Sequence, residues 1–92
     1  MRVRVYATLR DLLGAREVTL DLDGETPVRE VLQRLTEAYP ALAEKLWDDQ
    51  GNPTGFVRVL LNGRLLEYLD GMDTLVKDTD EISLFPPVGG GR

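Results

Sequence analysis

Few residues in this chain could do chemistry. Its 92 residues include no histidine and no cysteine. That removes the usual general base, the commonest metal ligand and the thiol nucleophile. A self-contained hydrolase, a zinc site and disulfides are therefore not expected. The residues that could carry a reaction are Pro86-Pro87-Val88-Gly89-Gly90-Gly91-Arg92, which follow an apolar run. Glycine has no Cβ and the widest backbone freedom. Three in a row at a chain end neither fill a core nor cap a helix. They make a thin tail able to thread a narrow channel. Chemistry on such a tail lies at the terminus itself, so the tail reads as a substrate offered to other enzymes. The blander reading is a disordered end or a linker remnant. The Phe85-Pro86-Pro87-Val88 context weighs against it.

Other chemistry-bearing groups point to structure. The acidic pairs Asp48-Asp49 and Asp78/Asp80-Glu81 lack the alternating spacing of a calcium loop and read as solvated turns. No metal site is expected. Gly89-Gly90-Gly91 is not a phosphate loop, because no strand–loop–helix follows it. Trp47 reads as a helix-end core residue, and Lys45 and Lys77 as plain surface. A net charge of −5 argues against nucleic acid as a partner, since phosphate binding needs clustered Lys and Arg. No apolar run approaches the roughly 20 residues of a membrane span, and no secretory signal opens the chain. Cytoplasmic residence is expected.

The elements that must position the tail follow from periodicity. Arg2 to Leu9 alternates, with Val3, Val5 and Ala7 on one side and Arg2, Arg4 and Tyr6 on the other, as in a half-buried strand. Leu9 to Leu13 turns and Gly14 closes the turn. Arg16 to Leu22 alternates again, completing a hairpin. Thr26-Pro27 reads as a helix start, with Thr26 as N-cap and Pro27 at the first helical position. Val28, Val31, Leu32, Leu35 and Tyr39 then form one apolar stripe, ended by Pro40. Ala41 to Trp47 predicts a short second helix with Leu42 and Leu46 inward. Phe56 to Leu61 is the most apolar strand and is expected at the centre of the sheet. Asn62-Gly63 predicts a tight hairpin turn into Arg64–Leu66. Glu81 to Val88 is the last strand, with pairing fading at Pro86 and Pro87. The fold expected is α+β: a ubiquitin-like β-grasp, with a mixed sheet of about five strands, first and last strands parallel at its centre. One main helix crosses one face, beside a short second helix. The expected division is a single domain over 1–88 and a flexible glycine-rich tail over 89–92.

These residues resemble a known family. Val5-Tyr6-Ala7-Thr8-Leu9-Arg10-Asp11 with Gly14, Val59-Leu60-Leu61-Asn62-Gly63-Arg64, Leu69–Thr74, Lys77–Glu81 and the Phe-Pro-Pro-Val-glycine tail are similar to the molybdopterin synthase small subunit. That is the MoaD-like branch of the MoaD/ThiS sulfur carriers. The resemblance implies that the chain is not itself an enzyme and binds no cofactor stably. A ubiquitin-activating-type (MoeB-like) adenylyltransferase draws in the tail, and the Gly91 carboxylate attacks the α-phosphate of Mg-ATP. Sulfur from a sulfurtransferase then displaces AMP to give a Gly91 thiocarboxylate. A large (MoaE-like) synthase subunit passes that sulfur to a pterin precursor, towards molybdenum cofactor. In the family, positions matching Phe85, Tyr6 and Arg10 lie at partner interfaces. Read from the residues alone, Phe85 is equally a core residue of the last strand, and Tyr6 and Arg10 ordinary sheet surface. Gly89 stands where the family has alanine, Gly90 and Gly91 are its paired glycines, and Arg92 is one residue more. The family's chemistry requires a free glycine carboxylate, so either Arg92 is removed, or this chain is a fragment of a longer precursor, or it is not activated as written. Three other outcomes share the sequence: a carrier for thiamine, cysteine or tRNA thiolation, a ubiquitin-like modifier forming isopeptide bonds with lysines, or a non-reactive binding module retaining Arg92.

Overall fold

A computed structural model describes residues 1–87. Residues 88–92 lie outside that range, so the expected domain limit at 88 and the tail over 89–92 fall outside the described residues. Alternating side chains make β1 (Arg2–Val5), whose Val3 and Val5 are buried while Arg2 and Arg4 are exposed. The segment read as a turn is a single-turn helix, α1 (Leu9–Leu13), which buries Leu9 and Leu13 and closes on Gly14 at φ 70°. Glycine takes that left-handed conformation without a Cβ clash. Ala7 does not continue the strand. It is exposed, with φ 53°, and turns the chain into α1. β2 (Glu17–Thr19) then returns antiparallel to β1 and is shorter than its alternation suggests.

Thr26 does not cap the main helix. Thr26 and Pro27 form a two-residue strand, β3 (Thr26–Pro27), paired with β6 (Leu75–Val76), and the Thr26 hydroxyl donates to the Gly24 carbonyl. The helix α2 (Val28–Ala38) starts one residue later, with Pro27 at its cap. Its stripe of Val28, Val31, Leu32 and Leu35 is fully buried, as periodicity requires. Tyr39 breaks the helix ahead of Pro40, which begins α3 (Pro40–Leu46) and aims Leu42 and Leu46 into the core.

β4 (Arg58–Leu61) turns through Asn62 and Gly63, both at positive φ, into β5 (Arg64–Leu65). That is the expected tight hairpin. Two single-turn 3₁₀ helices, Leu66–Tyr68 and Gly71–Asp73, lead to β6. β7 (Glu81–Phe85) closes the main sheet, whose order is β2-β1-β7-β4-β5. The centre is therefore β7, parallel to β1 and antiparallel to β4. The expectation that Phe56–Leu61 would be central is wrong. Its apolar character serves one face only: Val57, Val59 and Leu61 are buried, whereas Phe56 is 40% exposed. The inward residues of β1, β4 and β7 and the stripe of α2 form one core. This is the β-grasp arrangement, with the opposite face of the sheet left uncovered by the described residues.

Candidate functional site

β1 and β7 run in the same direction, so both end at the same side of the sheet. Their last register pair is Val5 with Leu84, and the Tyr6 amide donates to the Leu84 carbonyl at 3.1 Å. One step further, Tyr6 and Phe85 lie side by side on the uncovered face. Their rings stack with centroids 4.2 Å apart and planes 5° apart. Phe85 is thus half-buried and not a core residue; its alternation partners Ile82 and Leu84 take the core.

Arg10 reaches the same place from α1. Its Nε donates to the Val5 carbonyl at 3.0 Å, and its guanidinium carbon lies 5.5 Å from the Tyr6 centroid. Arg4 approaches the same ring at 5.9 Å. Arg58 sits opposite Phe85 across the β4–β7 ladder. The three residues singled out from the sequence therefore form one cluster, at the root of the tail. Arg4 and Arg58 belong with them and were not singled out; the outward parity that Arg4 shares with Tyr6 was the available signal.

Charge along this face is uneven. At the far end Arg2 pairs with Glu81 at 2.8 Å and with Glu17 at 3.7 Å. Among the described residues, Arg4, Arg10 and Arg58 have no carboxylate within 4.0 Å. The tail root is therefore cationic in a chain of net charge −5. Pro86 is half-buried and Pro87 exposed. Val88, Gly89, Gly90, Gly91 and Arg92, which carry the expected chemistry, lie outside the described residues.

The remaining chemistry-bearing groups serve the fold. Asp48 Oδ1 accepts from the amides of Gln50 and Asn52, which makes a local turn. The Trp47 indole is half-buried, and its Nε1 donates to the Thr36 hydroxyl at 3.1 Å. Asp78 accepts from the α-ammonium of Met1 at 2.8 Å and from the Leu22 amide at 3.1 Å. The bond from that ammonium, then the Leu22 amide, hold its carboxyl below the ordinary range, against the effect of burial. For Asp80, burial pushes upward. The Lys77 amide, the Asn62 side chain and the Lys77 charge outweigh it and lower the carboxyl. Among the described residues no group of three or more His, Cys, Asp or Glu side chains is placed to hold a metal. A cleft of about 360 Å³ beside β4, lined by Thr54, Val57, Leu66, Glu67 and Met72, includes none of Tyr6, Arg10 and Phe85. No helix among the described residues is long and apolar enough to cross a membrane.

Known proteins resemble this chain in sequence and in fold. Small archaeal modifier protein 3 of Haloferax volcanii is 40% identical over 91 residues, covering 99% of this chain and 98% of the relative. A putative sulfur carrier protein of Archaeoglobus fulgidus is 32% identical over 73 residues, covering 78% of this chain and 83% of the relative. The crystal structure of small archaeal modifier protein 1 from Haloferax volcanii superposes with a TM-score of 0.86 at 34% identity. It covers 99% of this chain and 98% of that one. The model of the ThiS family matches residues 3–91. The sheet order, the parallel central pair and this match over nearly the whole chain lead to one conclusion: the chain belongs to the ThiS family of ubiquitin-like β-grasp proteins.

Proposed function

We propose that this chain is a carrier whose terminal glycine, Gly91 once Arg92 is removed, is activated as an acyl-adenylate and then handed on. The observation that supports it most is the position of β7. A central strand, held on both sides, ends at an uncovered, cationic face and leads directly into Pro86, Pro87 and the glycines. The body contributes a docking face built on Tyr6 and Phe85, and the catalytic groups sit on partner enzymes. In the first step a Gly91 carboxylate oxygen attacks the α-phosphorus of Mg-ATP and pyrophosphate leaves. Mg-ATP is held by the activating adenylyltransferase, not by this chain. Side chains at positions 90 or 91 would obstruct the channel that the tail enters.

Two fates follow from the same acyl-adenylate. In the first, a persulfide sulfur from a sulfurtransferase displaces AMP. Thiol cleavage of the resulting acyl disulfide leaves a thiocarboxylate. The 32% identity to a putative sulfur carrier protein favours this fate. Its proposed destination is molybdopterin, through a large synthase subunit. The α3 segment, which shorter thiamine-type carriers lack, supports that destination over thiamine. In the second fate, a lysine amine of a target protein displaces AMP and forms an isopeptide bond. The 40% identity to a small archaeal modifier protein favours this fate. The test mixes a form ending at Gly91 with its activating enzyme, Mg-ATP and a sulfur donor, and measures intact mass. A gain equal to sulfur replacing oxygen supports the carrier, and unchanged mass refutes it. Higher-mass conjugates in native cells support the modifier fate. Co-purification with a large synthase subunit rather than a thiazole synthase decides the pathway.

A further inference from the structure

Backbone pairing stops abruptly at the tail root. On one side of Phe85, β1 ends at Val5 and leaves through Ala7 at φ 53°. On the other side β4 begins only at Arg58, its register partner. Pro86 and Pro87 bring no N–H that could extend either ladder. A strand end with few buried contacts opens locally at little cost in free energy. Phe85 is nonetheless anchored through its side chain. Its centroid lies 4.2 Å from that of Tyr6 with the planes 5° apart. The two rings are therefore near-parallel and within stacking distance.

Arg10 holds Tyr6 in turn. Its guanidinium carbon is 5.5 Å from the Tyr6 centroid, within cation–π reach. Arg10 is fixed at two points. Its Nε donates to the last carbonyl of β1, that of Val5, at 3.0 Å, and its helix is seated in the core by Leu9 and Leu13. A continuous line of contact therefore runs from the core through α1, Arg10, Tyr6 and Phe85 to Pro86.

We propose that Arg10 is a positioning residue for the root of the tail: acting through Tyr6, it holds Phe85 so that Pro86 and Pro87 leave the sheet in one direction. Only the catalytic consequence of this rests on the carrier reading above. A carboxylate that must meet a phosphorus atom reacts in proportion to how often the geometry is right, and losing that geometry costs about ten-fold or more.

The test compares the form ending at Gly91 with its Arg10→Ala and Arg10→Lys variants, each checked for folding by thermal unfolding. Nuclear magnetic resonance reads the ring protons of Tyr6 and Phe85 and the order parameter of the Phe85 amide. In Arg10→Ala the ring-current shifts should shrink and the Phe85 order parameter should fall. With an adenylyltransferase of the ubiquitin-activating type and Mg-ATP, kcat should fall about ten-fold, while the half-saturating carrier concentration stays within about two-fold. Arg10→Lys keeps a cation over the ring and should recover part of the loss. A raised half-saturating concentration, with kcat and Phe85 order unchanged, would make Arg10 a partner contact and overturn the proposal. If the otherwise unaltered form ending at Gly91 is not adenylated, the carrier reading fails. The Phe85 order parameter then decides alone, and an unchanged value in Arg10→Ala overturns the positioning role.

Discussion

Leu35→Ala probes the surface on which the rest of the fold is seated. Leu35 lies in the last full turn of α2, is 0% exposed, and closes the stripe of Val28, Val31 and Leu32. The substitution removes three carbons. At about 0.8 kcal/mol per buried methylene, the transfer part is about 2.4 kcal/mol. A cavity left behind adds to it, because core neighbours relax only partly, so the total should be about 3–4 kcal/mol. A domain of this size has a stability of about 5–15 kcal/mol, so a large share would be lost. The melting temperature should fall by about 12–32 °C, at about 4–8 °C per kcal/mol. Urea and thermal unfolding can be followed through Trp47, the single tryptophan, whose indole is bonded to Thr36 one residue along the same helix. The variant should remain folded at low temperature and, as a form ending at Gly91, still be adenylated there. A loss below about 1 kcal/mol would refute the reasoning, because no fully buried leucine on a packed helix is that dispensable.

Other expectations follow from single contacts. Thr36→Val removes the acceptor of the Trp47 Nε1 bond and should cost about 1–2 kcal/mol, with a change in Trp47 emission; unchanged stability and emission would discount that bond. Removing Gly90 and Gly91 from the form ending at Gly91 should leave the melting temperature unchanged, since among the described residues the buried core ends at Leu84, yet abolish adenylation; a large loss of stability would give the tail a structural role. Asp78 and Asp80 both have lowered carboxyl values in the folded chain. Their contribution is present above the unfolded value of about 3.9 and is lost as pH falls through the folded values. Asp80→Asn should therefore lower stability at neutral pH and flatten its decline below about pH 4. Identical pH profiles for the two proteins would remove Asp80 from that account.

Much of this architecture was legible because its signals are local. Outward Arg2 and Arg4 against inward Val3 and Val5, the α2 stripe, Leu42 and Leu46 in α3, and Asn62-Gly63 each depend on residues within a few positions of one another. The misreadings arose where a distant segment outbid a local preference. Thr26 has the side chain of an N-cap, but its backbone is committed to Val76, fifty positions away in sequence. Ala7 carries no mark of a left-handed residue; the turn into α1 imposes it.

The candidate site divides along the same line. The sequence alone determined the composition of the tail, the absence of histidine and cysteine chemistry, and the outward side of Tyr6, because these follow from residue type and a two-residue period. The sequence offered two candidates for the centre, the parallel first and last strands and the apolar run Phe56–Leu61, and only the tertiary structure decided for β7 over β4. Only it stacks Phe85 on Tyr6 beside Arg10 and gathers Arg4, Arg10 and Arg58 at the tail root, with no carboxylate partner among the described residues. The physical reason is that parallel pairing joins strands some eighty residues apart, and the side chains it brings together carry no local signal of one another.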